Sequence, residues 1–84
     1  MYSITYRKSA AKALTKLPSE VSARFVAGFQ KLASGETEGL DIKKLTGRAG
    51  FRLRIGGFRT LYRIEEEQLV IEVVAIGNRG DIYK

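Results

Sequence analysis

The segment FRLRIGGFRTLYRI, residues 51–64, constrains the fold most, because apolar residues alternate with polar ones on both sides of a glycine pair. Such alternation is typical of a strand with one buried face, since successive side chains of a strand point to opposite sides. Gly56 and Gly57 predict a two-residue hairpin, with the positive φ at both residues that a type I′ turn needs. We therefore predict a β-hairpin with Arg52 and Arg54 on one face and apolar side chains on the other.

The sequence before this hairpin changes from a strand pattern to a helix pattern. Residues 2–6 alternate as a short strand, whereas residues 10–17 and 21–32 carry apolar residues at the spacing of a helix face. Pro18 ends the first helix, because proline disfavours helical geometry at the residue before it. Gly35 is suited to end the second helix. The two helices should form a helical hairpin that packs on a sheet.

The remaining segments complete the predicted fold. Residues 35–50 contain four glycines and indicate a connector with at most a short turn. The acids at 65–67 indicate a turn, and residues 69–76 are nearly continuously apolar, as in a buried strand. We predict one small α+β domain over residues 1–84, in the order β-α-α-β-β-β. The helical hairpin packs on one face of a mainly antiparallel four-stranded sheet.

Charge and residue types narrow the function. The net charge is +6, and between residues 41 and 63 seven basic residues accompany a single acid, Asp41. This concentration indicates an anionic partner. Without cysteine or histidine, the chain has no disulfide, no cysteine nucleophile and no imidazole proton shuttle. No segment reads as a signal peptide or a membrane span, so we expect a cytoplasmic protein without a membrane partner.

The arginines of the predicted hairpin allow two interpretations. Arg59 is expected beside Arg54, so that three guanidiniums share one open face and repel each other unless an anion is present. One interpretation is a nucleic-acid site, since arginine binds phosphate through paired hydrogen bonds. The other is a solvated face whose arginines pair with Glu72 and the acids at 65–67, an arrangement that contributes little to stability.

Arg79 and Tyr83 follow the last predicted strand, where the chain returns to the sheet edge. Tyr83 could stack on a base, and its alternative is a partly buried aromatic residue near the C-terminus. Together with the arginines of the hairpin, these two residues favour the nucleic-acid interpretation.

Three stretches carry a resemblance to a known family. KKLTGRAGFRLRIGGFRTLYRI followed by VVAIGNRGDIY resembles the RelE/ParE superfamily of bacterial and archaeal toxins, and YRKSAAKALTKLPSEV resembles its first helix region. The shared features are a KKL-x-G turn, two basic residues around an apolar one, a G-[FY]-R-x-x-Y strand and a terminal G-x-R followed by Tyr. The resemblance spans nearly the whole chain, and the superfamily fold has the order predicted above.

The resemblance implies a ribosome-dependent endoribonuclease of the RelE type. Such toxins cut mRNA in the ribosomal A site without a metal or other cofactor, by attack of the ribose 2′-hydroxyl on the adjacent phosphate. A cognate antitoxin neutralises each toxin, and operator DNA is contacted only through that antitoxin. One alternative is a ParE-type toxin that inhibits DNA gyrase by protein–protein contact. Another is an inactive or regulatory homologue.

The resemblance also assigns roles to residues at matching positions. The expected catalytic residues are the phosphate-binding pair Arg52 and Arg54, the transition-state arginine Arg59, Arg79 for the leaving group, and Tyr83 for stacking on the base. The expected contacts to ribosomal RNA are Lys43, Lys44 and Arg48.

One departure from RelE concerns the proton acceptor. RelE has lysines where this chain has Arg52 and Arg54, and an arginine in a protein does not give up its proton. The two arginines can therefore hold phosphate and stabilise the transition state but are poor general bases. Three proton acceptors stay open, namely Tyr83, a group of the ribosomal RNA and water.

Overall fold

The computed structural model describes residues 1–78, with only the backbone described at Asn78. The elements are β1 (Ser3–Tyr6), α1 (Lys8–Lys16), α2 (Ser19–Ala33), β2 (Asp41–Lys44), β3 (Phe51–Ile55), β4 (Phe58–Glu65) and β5 (Val70–Asn78). The predicted α+β class, with two helices packed on a mainly antiparallel sheet, is confirmed.

The sheet has five strands in the order β1-β5-β4-β3-β2. The last four strands of the chain form an antiparallel meander, whereas β1 pairs in parallel with β5. A parallel pair needs a long crossover, because the chain must return to the end of the sheet where the first strand began. Here the two helices and the first three strands of the meander supply that connection.

The strand β2 is the difference from the predicted four-stranded sheet. It lies in the glycine-rich connector and pairs along its whole length with β3. Of its four residues only Ile42 is apolar, so its sequence shows no alternation that local inspection could detect. As an edge strand it tolerates charged residues on both faces, which also discourage pairing with another chain.

The hairpin between β3 and β4 is confirmed, with a different turn. Ile55 and Phe58 pair directly, leaving two residues in the loop. Gly56 has a φ of 59°, but Gly57 does not have positive φ. This combination is typical of a type II′ turn rather than the predicted type I′ turn, and both types suit the twist of a two-residue hairpin.

The second helix ends at the glycine that the sequence indicated. Gly35 has a φ of 82°, and its N–H donates to the carbonyl of Leu32 at 3.0 Å. The N–H of Glu36 donates to the carbonyl of Lys31 at 2.9 Å. These two bonds form a Schellman motif, which satisfies carbonyls at the end of the helix. Neither helix within residues 1–78 is long and apolar enough to cross a membrane.

The hydrophobic core lies between the helices and one sheet face. Phe25 and Phe29 of α2 are fully buried, as is Leu53 at the centre of β3. The ring of Tyr62 packs edge to face on Phe29 at 5.7 Å and stacks on Phe51 at 5.5 Å. Because β3 and β4 commit these side chains to the helices, their arginines must point to the opposite face.

Tyr62 makes the stability of this core sensitive to alkaline pH. Burial raises the pKa of Tyr62 from 10.0 to about 12. Below pH 10 the phenol is neutral in both states, but between pH 10 and 12 the unfolded chain loses its proton first. The free energy of unfolding therefore falls as the pH rises through this window. Between pH 9 and 11, the interval of the test below, the fall is about 1 kcal/mol. We expect Tyr62→Phe to remove this part of the loss in urea unfolding at the two pH values, and parallel losses in both proteins would contradict the assignment.

Candidate functional site

The sheet face opposite the helices is called the basic face here, and two rows of residues aligned across the strands define it. The first row, from β2 to β5, consists of Asp41, Arg54, Arg59 and Gly77. The second row consists of Lys43, Arg52, Leu61 and Ala75. Since β5 contributes only a glycine and an alanine, the larger side chains of both rows rise from β2, β3 and β4.

The core sets the direction of the arginines, as predicted from the alternation. Leu53 and Thr60 are fully buried, which turns their neighbours Arg52, Arg54 and Arg59 to the basic face. Leu61 shares that face and is only 2% exposed. An apolar side chain therefore forms part of the floor beneath the charges, and less water reaches the stems of the surrounding arginines.

Four basic residues from three strands line one small groove, and three of them, Lys43, Arg52 and Arg59, belong to the basic face, whereas Lys44 is paired with Phe51 at the alternate position of β2. The groove has a volume of about 220 Å³ and is lined by Lys43, Lys44, Leu45, Thr46, Arg52 and Arg59. Ammonium and guanidinium groups offer many hydrogen-bond donors and positive charge but no acceptor. The groove is thus suited to an anion, and phosphate matches the fork of a guanidinium.

Asp41 is the site residue that sequence reasoning missed. One carboxylate oxygen accepts a hydrogen bond from Nη2 of Arg52 at 2.8 Å, and the other lies 2.9 Å from Nε of Arg54. Asp41 and Arg54 are direct partners in the register of β2 and β3. The signal in the sequence was its position as the single acid of residues 41–63, but its pairing depends on a strand that was not predicted.

Two of the four acids named by the solvated interpretation have other partners. Glu72 lies 3.4 Å from Nε of Arg7, and Glu66 accepts a hydrogen bond from the hydroxyl of Tyr2 at 2.7 Å. For Arg52 and Arg54 that interpretation named the wrong partners, because both side chains pair with a carboxylate on the neighbouring edge strand.

Arg54 also borders a second groove, which lies between α2 and β3 and has a volume of about 440 Å³. Arg24 and Lys31 of α2 line it together with Arg54 and Asp41. The floor includes Leu53 and other apolar residues. The bridge through Asp41 therefore joins an arginine of the first groove to an arginine of the second.

The other predicted site residues are distributed as follows. Lys43 and Lys44 lie in the first groove, whereas Arg48 lies in the exposed loop that follows β2. Arg79 and Tyr83 lie outside the described residues. The structure thus brings together two of the three predicted RNA-binding residues with Arg52 and Arg59.

Three tyrosines have raised pKa values, and none of them lines the first groove. A hydrogen bond to Glu66 raises the pKa of Tyr2, and burial raises the pKa values of Tyr6 and Tyr62. Tyr6 and Tyr62 pack in the core, on the other side of the sheet. These three phenols are therefore not placed to accept a proton in the groove.

Comparison with known proteins identifies the family. The profile described as "ParE toxin of type II toxin-antitoxin system, parDE" matches residues 4–83. The chain belongs to this toxin family. A RelE-like toxin protein of Escherichia coli is 32% identical to the toxin over 87 residues, covering 98% of this chain and 90% of the relative. Toxin RelG of Mycobacterium tuberculosis (strain ATCC 25618 / H37Rv) is 33% identical over 88 residues, covering 99% of this chain and 97% of RelG.

The fold of the toxin also matches a solved toxin–antitoxin complex. The archaeal RelE–RelB complex from Pyrococcus horikoshii OT3 superposes with a TM-score of 0.76 at 29% identity, covering 95% of this chain and 97% of that chain. The resemblance to the RelE/ParE superfamily is therefore confirmed. The protein is a RelE-like toxin of a type II toxin–antitoxin system.

Proposed function

We propose that this toxin is a ribosome-dependent endoribonuclease that cuts mRNA in the ribosomal A site and so inhibits translation. The observation that carries the proposal is the groove lined by four basic residues, Arg52, Arg59, Lys43 and Lys44. Its donors and charge suit a phosphodiester, and its position on a sheet gives the arginines fixed stems.

The proposed reaction is attack of a ribose 2′-hydroxyl on the adjacent phosphate, without a metal ion. The oxygen–phosphorus bond to the next nucleotide breaks, which leaves a 2′,3′-cyclic phosphate and a 5′-hydroxyl. Negative charge accumulates on the phosphate oxygens in the transition state, and preorganised guanidiniums stabilise it more than they stabilise the substrate. Arg59 would provide this stabilisation, while Arg52 and Arg54 hold the phosphate.

Proton transfer needs groups other than these arginines, because a guanidinium does not accept a proton. We propose Arg79 as the group that serves the leaving oxygen. Tyr83 would stack on the substrate base, and Tyr83, water or a ribosomal RNA group would take the proton of the 2′-hydroxyl.

Further basic residues suit the ribosome as a partner. Lys43 and Lys44 lie at the end of the groove-forming edge strand, and Arg48 is exposed in the following loop. Contacts of this kind to RNA phosphates add affinity that is independent of sequence and falls with salt. The site of action would be the cytoplasm, where translating ribosomes are found.

We propose that a cognate antitoxin neutralises the toxin, by analogy with the archaeal relative solved in complex with RelB. A net charge of +6 favours an acidic partner. The second groove combines cations from α2 with an apolar floor, a surface that suits an acidic amphipathic segment. Operator DNA would be contacted only through the antitoxin.

The deciding experiment is primer extension on a defined mRNA with purified toxin and programmed ribosomes, and with each component alone. We expect a cut in the A-site codon only when both are present. A matched mRNA with 2′-deoxyribose at the cut position should resist cleavage, because it lacks the nucleophile. Cleavage of the deoxy template would contradict the proposed attack by the 2′-hydroxyl.

A second candidate function is gyrase inhibition, favoured by the match to the ParE profile over residues 4–83. It predicts intact mRNA in every lane, beside a control toxin that cuts, together with loss of gyrase supercoiling. Intact mRNA with normal supercoiling would instead support an inactive or regulatory homologue.

A further inference from the structure

Asp41 bridges two arginines with separate oxygens. Oδ1 accepts from Nη2 of Arg52 at 2.8 Å, and Oδ2 lies 2.9 Å from Nε of Arg54. The carboxylate rises from β2, whose register places Asp41 opposite Arg54 and Lys43 opposite Arg52. A strand-held carboxylate with both oxygens engaged has little freedom to rotate, so it fixes the relative orientation of the two guanidiniums.

The environment of Arg52 makes this contact more than a solvated ion pair. Its side chain is only 15% exposed, and its buried Nε has no hydrogen-bond partner among residues 1–78. Within that range, the contact to Asp41 is the hydrogen bond that sets the direction of the guanidinium. The Asp41 side chain is 43% exposed, and an ion pair whose acid stays in contact with water contributes little to stability, so the consequence of this contact should appear in geometry more than in the folding equilibrium.

The negative charge of Asp41 also reduces repulsion among the neighbouring arginines. Arg54 and Arg59 are direct cross-strand partners, and like charges in such a pair repel each other. The carboxylate offsets this repulsion when no substrate is bound. Each guanidinium carries five N–H donors, so both arginines keep donors for a phosphate while they hold Asp41.

We infer that Asp41 is a positioning residue of the toxin, which orients Arg52 and Arg54 for the phosphate at the expense of affinity for anions. The inference rests on the proposed function. It predicts opposite effects of removing the charge: the arginines bind an anion more tightly because a repelling carboxylate is gone, but cleavage slows because their orientation is lost.

The cleavage test is Asp41→Asn on programmed ribosomes in single-turnover reactions. We expect the saturating rate to fall at least about 10-fold while the half-saturating toxin concentration does not rise. Asp41→Glu should restore most of the rate, since it returns the carboxylate. Glu72→Gln is the matched control, because it removes another carboxylate of the same sheet, one that is paired with Arg7. This variant should cut at the wild-type rate.

A second measurement needs no ribosome and no cleavage. In protein labelled with ¹⁵N-arginine, the guanidinium N–H signals of Arg52 and Arg54 should be resolved in the wild type and averaged in Asp41→Asn. Titration with inorganic pyrophosphate should give tighter binding to the variant, by at least about threefold.

The outcomes separate this inference from the proposed function. A wild-type saturating rate in Asp41→Asn, or equal losses in Asp41→Asn and Asp41→Glu with a shared fall in Tm, would overturn the positioning role. If the wild-type toxin cuts nothing, the proposed function fails, and the arginine signals then decide by themselves whether Asp41 orients the guanidiniums. Unchanged signals in Asp41→Asn would overturn the inference in that case too.

Discussion

Replacement of Arg59 by alanine is expected to reduce A-site cleavage by about 10²–10³-fold, the usual effect of removing one preorganised donor that stabilises transition-state charge. Arg59 lines the groove with Arg52 and the two lysines, and the buried Leu61 shares its sheet face. Low exposure to water strengthens the interaction of a guanidinium with a phosphate. The loss should appear in the saturating rate, because the interaction is strongest in the transition state.

Arg63→Ala provides the matched control for this experiment. Arg63 belongs to the same strand and the same sheet face, but it is exposed and its partner in β5 is Glu72. Both variants lower the net charge by one, so a difference between them reports position and not overall charge. We expect Arg63→Ala to cut at close to the wild-type rate, and Arg59→Lys to recover only part of the activity, because an ammonium lacks the planar fork.

Equal rates for the alanine variants at positions 59 and 63 would remove the groove from the mechanism. Circular dichroism and Tm should be unchanged in both proteins, which excludes unfolding as the cause. If Arg59→Ala remained fully active while correctly folded, the basic face would be better explained as a protein-binding surface.

The parts of the fold that could be predicted are those with one buried face. In β3 and β4 alternate residues pack in the core, so the apolar residues recur with a period of two in the sequence. The direction of the arginines follows from that period. Both helices show the corresponding period of a helix face. The strand β2 could not be recognised, because at the sheet edge only Ile42 needs to be apolar and the other three residues are charged.

Because β2 was not predicted, part of the site could not be predicted from the sequence either. The pair of Asp41 with Arg54 depends on the register between β2 and β3, which no local pattern encodes. No local pattern shows either that Lys43 and Lys44 line the groove and that Arg48 does not. These residues are close in sequence, but a strand end separates them in space.

Gly50 is expected to be among the least replaceable residues of the site region. It has a φ of 115°, and an added Cβ would lie 2.8 Å from the backbone oxygen of Tyr62. That oxygen belongs to β4 and cannot move without disturbing the strand. Strained backbone and overpacking each cost about 1–3 kcal/mol, so we expect Gly50→Ala to destabilise the fold by about 3 kcal/mol or more.

Gly47→Ala separates these two costs. Gly47 lies in the same loop with a φ of 75°, but an added Cβ would meet no atom within 4 Å. Only the backbone strain remains, about 1 kcal/mol, which corresponds to a fall in Tm of about 4–8 °C for a domain of this size. Thermal unfolding should therefore show a clearly larger fall for Gly50→Ala, and equal falls would mean that the contact with Tyr62 is relieved easily.

The same pair of variants connects the loop to activity. The carbonyl of Gly50 accepts a hydrogen bond from the N–H of Leu45 at 3.0 Å, and Leu45 lines the groove beside Lys44. A shift of Gly50 away from Tyr62 must therefore move the wall of the groove. Below its Tm, Gly50→Ala should cut more slowly than Gly47→Ala, because the loop that carries the groove wall can no longer pack closely against β4.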